Sequence, residues 1–258
     1  MFPPNDMMPK AEAAARKALD IDPNLGEAYT GLALATTYYD RNWPEAEKYF
    51  KKALSLNPNF PTAHQWYSLY VNAVGRSDEA IGESKRALDL DPLSLPVNYQ
   101  VASAYYLSRR YDEAIEQGRK SIEMDPNFPL SHRGLARAYS AKGMYPEAIG
   151  EWQKYQDLNP GSDALANLIY SYGRAGDQGQ ALHGLEMLQG RSREGYVPAY
   201  AFAMAYLGLG EKDQALVRLE QAITNRESLV VFLKVDAIGD PIRSDPRFAD
   251  LVRSIGLP

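Results

Sequence analysis

The sequence runs to 258 residues, 45% hydrophobic and 24% charged, proportions that fit a folded chain and not a disordered one. Its formal charge of −5 lacks the basic excess of a general nucleic-acid binder. The absence of cysteine excludes disulfides, thiolate metal sites and thiol nucleophiles. No stretch approaches the roughly 18 apolar residues of a membrane span, and the first six residues lack the basic-then-apolar order of a signal peptide.

The first predicted element is a helix over about residues 9–20, with Pro9 suited to its first turn. Beyond it a fixed pattern takes over. Asp or Asn followed by Pro recurs at Pro23, Pro58, Pro92, Pro126 and Pro160, with spacings of 35, 34, 34 and 34 residues. Alanines recur in the same phase at Ala11, Ala46, Ala80, Ala114, Ala148, Ala181 and Ala215, spaced 35, 34, 34, 34, 33 and 34 residues. A period of this length means stacked supersecondary units.

Each marker alanine opens an amphipathic helix; Ala46, Phe50 and Ala53 share one face while charges take the other. Each such helix stops at the following proline, which cannot continue it. The stretches between a proline and the next alanine also read as helices, for example 97–108, 130–141 and 199–209. Gly75, Gly143, Gly176 and Gly210 supply the turn between the two helices of a pair. At the end, Ser244 or Asp245 can cap a helix carrying Pro246 in its first turn and Phe248, Leu251, Val252 and Ile255 on one face. Residues 228–258 are therefore expected to cover the otherwise bare end of the stack.

A helical hairpin of 34 residues closed by proline resembles the tetratricopeptide repeat. The first-helix positions of that family look like His132, Leu135, Ala136 and Tyr139, and the second-helix positions like Ala148, Trp152 and Pro160. Similar sets surround Tyr29, Leu32 and Ala33, and Phe202, Ala203 and Tyr206. The resemblance covers about residues 9–227, with Arg193 and Glu227 standing where a closing proline would. It implies an all-α, right-handed superhelical solenoid of antiparallel helix pairs. The expected division is a half repeat at 9–25, then pairs at 26–59, 60–93, 94–127, 128–161, 162–194 and 195–227, followed by the cap. The missing first helix of the half repeat points to a chain cut from a longer protein; natural capping by Phe2, Pro3 and Pro4 is the other reading. The closing segment is similar to the tetratricopeptide regions of bacterial multidomain transcriptional regulators and serine/threonine kinases. That likeness implies a docking or sensory module.

Nothing in the sequence calls for catalysis, a metal or a cofactor. His64 and His132 fall in a packing slot, and no metal-ligand spacing links the three histidines. The glycine-rich run 173–179 lacks the Lys-Ser/Thr of a phosphate loop and sits at an inter-helix turn. In the family, first helices line a concave groove. By phase, the inward positions include Gln65, Asn72, Tyr99, Ser103 and Tyr106 in the front half, and Arg133, Arg137, Asn167, Tyr170 and Arg174 in the rear half. The last five form a basic–aromatic patch suited to carboxylates, including a chain's terminal one; salt bridges within the protein are the alternative. Three functions stay open. The first is binding of a protein or peptide, possibly acidic, in this groove. The second is self-association through Ala11, Ala14, Ala15 and Ala18 of the unpaired first helix. The third, least favoured, is a small-molecule receptor or enzyme. No nucleic-acid or membrane partner is expected. A cytoplasmic location follows, or an extracytoplasmic one behind an anchor lost upstream.

Overall fold

The computed structural model describes residues 4–257. Its first helix, α1, spans Pro4–Ile21. It begins earlier than Pro9, which lies inside it; Phe2 and Pro3 lie outside the described residues. Six antiparallel pairs follow. They are α2 (Gly26–Ala35, extended by a π-helical turn Thr36–Asp40) with α3 (Trp43–Leu56), and α4 (Pro61–Ala73) with α5 (Ser77–Leu90). Next come α6 (Leu95–Leu107) with α7 (Tyr111–Met124), and α8 (Pro129–Ala141) with α9 (Tyr145–Leu158). The last are α10 (Ser162–Ala175) with α11 (Gln178–Glu194), and α12 (Ala199–Leu209) with α13 (Lys212–Thr224). The fold is the expected all-α superhelix.

The sequence sets these elements locally. Pro61 and Pro129 open their helices, where a missing N–H costs nothing. Asn42, Asp177 and Asp245 accept a backbone N–H at the starts of theirs. The phased alanines Ala46, Ala80, Ala114, Ala148, Ala181 and Ala215 are all 0% exposed, so each lets two helices approach to methyl contact. Ala11, at the head of that series, is exposed.

The turn within each pair needs one left-handed residue. Gly75, Gly143, Gly176 and Gly210 supply it at φ 91°, 73°, 89° and 83°. Arg41 and Arg109 hold the same slot at φ 56° and 60°, and Arg226 takes φ 55° just after α13. A branched-off side chain is disfavoured there, so something else must hold these arginines in place.

The large-residue slot of the first helices repeats with two chemistries. His64 Nδ1 lies 2.6 Å from a Glu83 carboxylate oxygen and Nε2 2.9 Å from the Pro58 carbonyl. His132 repeats this with Glu151 at 2.6 Å and the Pro126 carbonyl at 2.8 Å. In the unit between them, Asn98 Nδ2 donates to the Pro92 carbonyl and Asn98 Oδ1 accepts from Gln117. Each ring is thus held between a carboxylate and a carbonyl, and for His64 these partners outweigh burial and raise the imidazole pKa; the middle unit makes the same bridge with neutral amides.

The C-terminal stretch does more than cover the last pair. Two 3₁₀ turns, Ser228–Phe232 and Ala237–Ile242, run along the concave side, with Val230, Val231, Leu233 and Ile242 at most 1% exposed. The Phe232 and Tyr38 rings meet edge-on at 6.3 Å. The last helix, α14 (Pro246–Ser254), packs beside α13, and Trp43 Nε1 donates to the carbonyl of Ile255 at 3.0 Å. Arg41 reaches the Ile223 carbonyl at 3.1 Å, and Arg226 the Tyr39 carbonyl at 2.7 Å. The superhelix therefore brings its first hairpin against its last. Two of the three left-handed arginines make that seam.

Glycine tightens the rear. A Cβ on Gly208 would lie 2.3 Å from Tyr170 Cα, and one on Gly173 2.3 Å from the Gly208 carbonyl oxygen. Helices α10 and α12 therefore cross backbone to backbone, which only glycine permits.

Candidate functional site

The first helices α4, α6, α8, α10 and α12 bring several of the expected groove residues together. Helix α6 contributes Tyr99 and Tyr106, α8 contributes Arg133 and Arg137, and α10 contributes Asn167 and Tyr170. Tyr106, Arg133, Arg137, Asn167 and Tyr170 border one chamber of about 30 Å³, room for a single water-sized guest. Tyr99 joins them by accepting a hydrogen bond from Arg133 at 3.3 Å.

The groove at this point is not open. Asp236, from the chain's own C-terminal stretch, sits in it. Arg137 Nη2 donates to one Asp236 oxygen at 2.6 Å, and Tyr106 Oη to the other at 2.5 Å. The Arg137 guanidinium also lies 4.2 Å above the Tyr106 ring. Four residues on, Asp240 meets Arg109 through two hydrogen bonds of 2.6 and 2.7 Å, a fork-to-fork pair. Arg109 is not among the groove positions expected from the sequence; it sits in the turn between α6 and α7. Burial, then the neighbouring Asp236 charge, pushes the Tyr106 and Tyr200 phenols well above their ordinary pKa, so both stay neutral and Tyr106 keeps the proton it donates to Asp236.

The arginine patch thus has salt bridges within the protein, the alternative left open by the sequence. Arg137 pairs with Asp236. Arg133 Nε faces Asp163 at 3.3 Å without a hydrogen bond of good geometry. Asn167 Nδ2 donates to the Asp163 carbonyl at 2.8 Å. Arg174 stands apart and exposed, its Nε on the Tyr145 hydroxyl at 3.3 Å. In the front half, Ser103 and Asn72 are buried, Asn72 accepting from Ser108, and Gln65 is half-buried. None of these four borders the chamber.

The four alanines of α1 do not form one free face. Ala15 is buried, and a Cβ at Gly31 would meet it at 3.5 Å, so this side of α1 is spent on α2. Ala18 is half-buried, while Ala11 and Ala14 are exposed.

Behind the plugged stretch the superhelix opens into a larger mouth of about 670 Å³. The loops before α10 and α12, the first 3₁₀ turn and the start of α1 surround it. Arg133 forms part of its floor and Arg191 part of its wall. Glu227, also at the mouth, is already saturated: it accepts from the backbone N–H of Ala199 at 2.8 Å and Tyr200 at 2.9 Å, and from Tyr196 Oη at 3.3 Å. Sequence reading noted Glu227 only as a missing proline; here it caps the start of α12. Among the described residues no cluster of three or more His, Cys, Asp or Glu could hold a metal ion, and no helix is long and apolar enough to cross a membrane.

This architecture, helix pairs of fixed period stacked around a concave face, defines a helical-repeat protein of the kind that presents a binding surface. Models of the tetratricopeptide repeat match residues 118–150, 32–94 and 73–129. The chain is a tetratricopeptide-repeat protein. Its fold is similar to that of a tetratricopeptide repeat protein from Parabacteroides merdae, at 15% identity, covering 98% of this chain and 93% of that one with a TM-score of 0.65. PilW, a widely conserved type IV pilus biogenesis factor, is 22% identical and covers 74% of this chain and 89% of its own, with a TM-score of 0.62. Human IFIT1, solved as a dimer with PPP-AAAA, is 17% identical and covers 97% of this chain and 69% of its own, with a TM-score of 0.65. No curated protein sequence matches the chain.

Proposed function

We propose that this chain is a non-catalytic protein-interaction scaffold whose concave face receives an extended acidic segment, and that it serves as a docking or sensory module of a larger bacterial regulator. One observation carries the reading. Asp236 and Asp240, four residues apart on one strand of chain, are each clasped by groove residues, Arg137 with Tyr106 and Arg109 respectively. A face that seats two carboxylates in this way fits a partner presenting the same spacing, and that partner competes with the chain's own residues.

The test uses a synthetic peptide copying residues 228–243 and the full-length chain carrying Asp236→Lys and Asp240→Lys. The variant is expected to bind the peptide at micromolar concentration, and at least tenfold more weakly once both peptide aspartates are asparagine. The Asp240→Lys single variant, altered only at an exposed position, serves where the double variant does not fold. A folded variant that ignores the peptide, or that binds the asparagine form equally well, overturns the reading.

A further inference from the structure

The mouth behind the plug has a different chemistry from the plugged groove, and nothing so far assigns it a ligand. At about 670 Å³ it has the size of a small-molecule site. It is blind toward the front, where Asp236 and Leu229 close it down to the water-sized chamber that shares its Arg133, Asp163 and Tyr200. A chain cannot thread through it; a short ligand can enter end first.

Its charges can be counted. Arg133 and Arg191 bring two positive charges. Arg191 makes no side-chain hydrogen bond or ion pair among the described residues, and Arg133 Nε is buried without a hydrogen-bond partner. Of the acids, Asp163 faces Arg133 at 3.3 Å. Glu227 is neutralised in effect by the two backbone N–H groups at the start of α12 and the dipole behind them. Asp163 and Glu227 are thus each engaged, by Arg133 and by the start of α12, and Arg191 is left as the unpaired cation of the mouth among the described residues; a single negative charge suits it, whereas a doubly charged phosphate would be repelled by the two acids. The remaining wall is apolar: Val197, Pro198, Ala201, Leu229 and the α1 methionines Met7 and Met8. Buried apolar surface favours an apolar body on the ligand.

We infer that the mouth binds a small amphipathic monocarboxylic acid, its carboxylate on Arg191 and Arg133 and its hydrocarbon body along the Val197–Leu229 wall. The mouth adjoins the Asp236–Asp240 seat and takes Leu229 from the same segment, but its test uses the wild-type chain with that segment in place, so its failure and that of the proposed function are distinguishable.

Dodecanoate is the probe, titrated calorimetrically into the full chain beside dodecanol and beside a short peptide ending in two leucines with a free C-terminus. Dodecanoate is expected to bind at micromolar concentration and dodecanol at least tenfold more weakly. Arg191→Glu should weaken dodecanoate at least tenfold; Arg191 has no partner to lose among the described residues, so the variant keeps the wild-type circular dichroism. Arg133→Gln should weaken it as well. Equal binding of the alcohol, indifference to Arg191→Glu, no dodecanoate binding below a millimolar, or tighter binding of the peptide than of dodecanoate would each overturn the inference.

Discussion

The plugged front of the concave face and the mouth behind it both present arginines, Arg137 from the first helix α8 in front and Arg133 of α8 with Arg191 of the second helix α11 behind, yet they end in opposite states. In front, Arg137 is covered by Asp236 and Tyr106, with 18% of its side chain and 7% of that of Asp236 exposed. At the rear, Arg191 has no partner among the described residues, and Arg133 has the Tyr99 hydroxyl and an imperfectly placed Asp163. The lesson is that an inward arginine on a repeat scaffold is not yet a binding residue. What covers it decides. A guanidinium matched to a carboxylate inside the fold holds the fold together, and one left half-matched beside a cavity is free to act on something else.

Four substitutions and one pH titration probe that contrast and the fold behind it. The largest effect is expected from Arg137→Ala, which strands the Asp236 carboxylate in a buried place and should cost about 3–5 kcal/mol. Arg191→Ala should change stability by less than about 0.5 kcal/mol. Urea titrations of the two variants side by side check this; equal losses would erase the distinction between the two regions. Next comes Gly208→Ala, whose Cβ would collide with the Tyr170 backbone at 2.3 Å and force α10 and α12 apart. A loss of about 1–3 kcal/mol is expected, read as a lowered melting temperature. Asp240→Ala should cost less, about 0–1 kcal/mol, because Arg109 and Asp240 are each more than 40% exposed and solvent screens the pair. A cost matching that of Arg137→Ala would show that the outer aspartate anchors the plug as strongly as the inner one.

The gentlest effect is a pH slope from His64. Burial opposes its charge, but the Glu83 carboxylate and the Pro58 carbonyl outweigh burial, so its pKa in the folded chain is raised above the ordinary 6.5. The facing charges are Glu83 and, opposing, Arg86. The raised value means the clamp contributes fully below about pH 6.5 and its contribution is lost as pH rises through the folded-state pKa. Denaturation midpoints followed from pH 6 to 9 should fall in the wild type. His64→Asn combined with Glu83→Gln, which copies the Asn98–Gln117 slot, should flatten the slope. An unchanged slope would remove His64 as its source.

Much of this was legible in the sequence. The 34-residue phase set the pairs, because each local unit has to bury the same alanine face and turn at the same place. Pro61 and Pro129 at helix starts and Gly75 or Gly210 at turns are local chemistry, and local chemistry leaves a local trace. The closure left almost none. Trp43 to Ile255 and Arg109 to Asp240 join residues from different repeats or from outside them, so no period marks them. The available hint was an arginine at 41 and 109, in the turn slot given elsewhere to glycine, which makes sense once Arg41 is seen to reach α13 and Arg109 the C-terminal stretch. Reading 228–258 as a lid over the last pair missed that its first half lies along the groove. The apolar run through Val230, Val231 and Leu233 carried the need for burial without saying where. His64 and His132 were read correctly as packing residues, but their carboxylate partners lie 19 residues on, in the second helix, and only the fold aligns them.

The central claim is that residues 228–243 occupy the concave face and are held there by Asp236 on Arg137. Hydrogen exchange followed by mass spectrometry on the wild-type chain tests it most directly. The segment's amides should be strongly protected at neutral pH, and Arg137→Ala should release them at least tenfold while α4 and α8 keep their protection. Exchange of 228–243 at the rate of an unfolded chain in the wild type, or no change on removing Arg137, would contradict it.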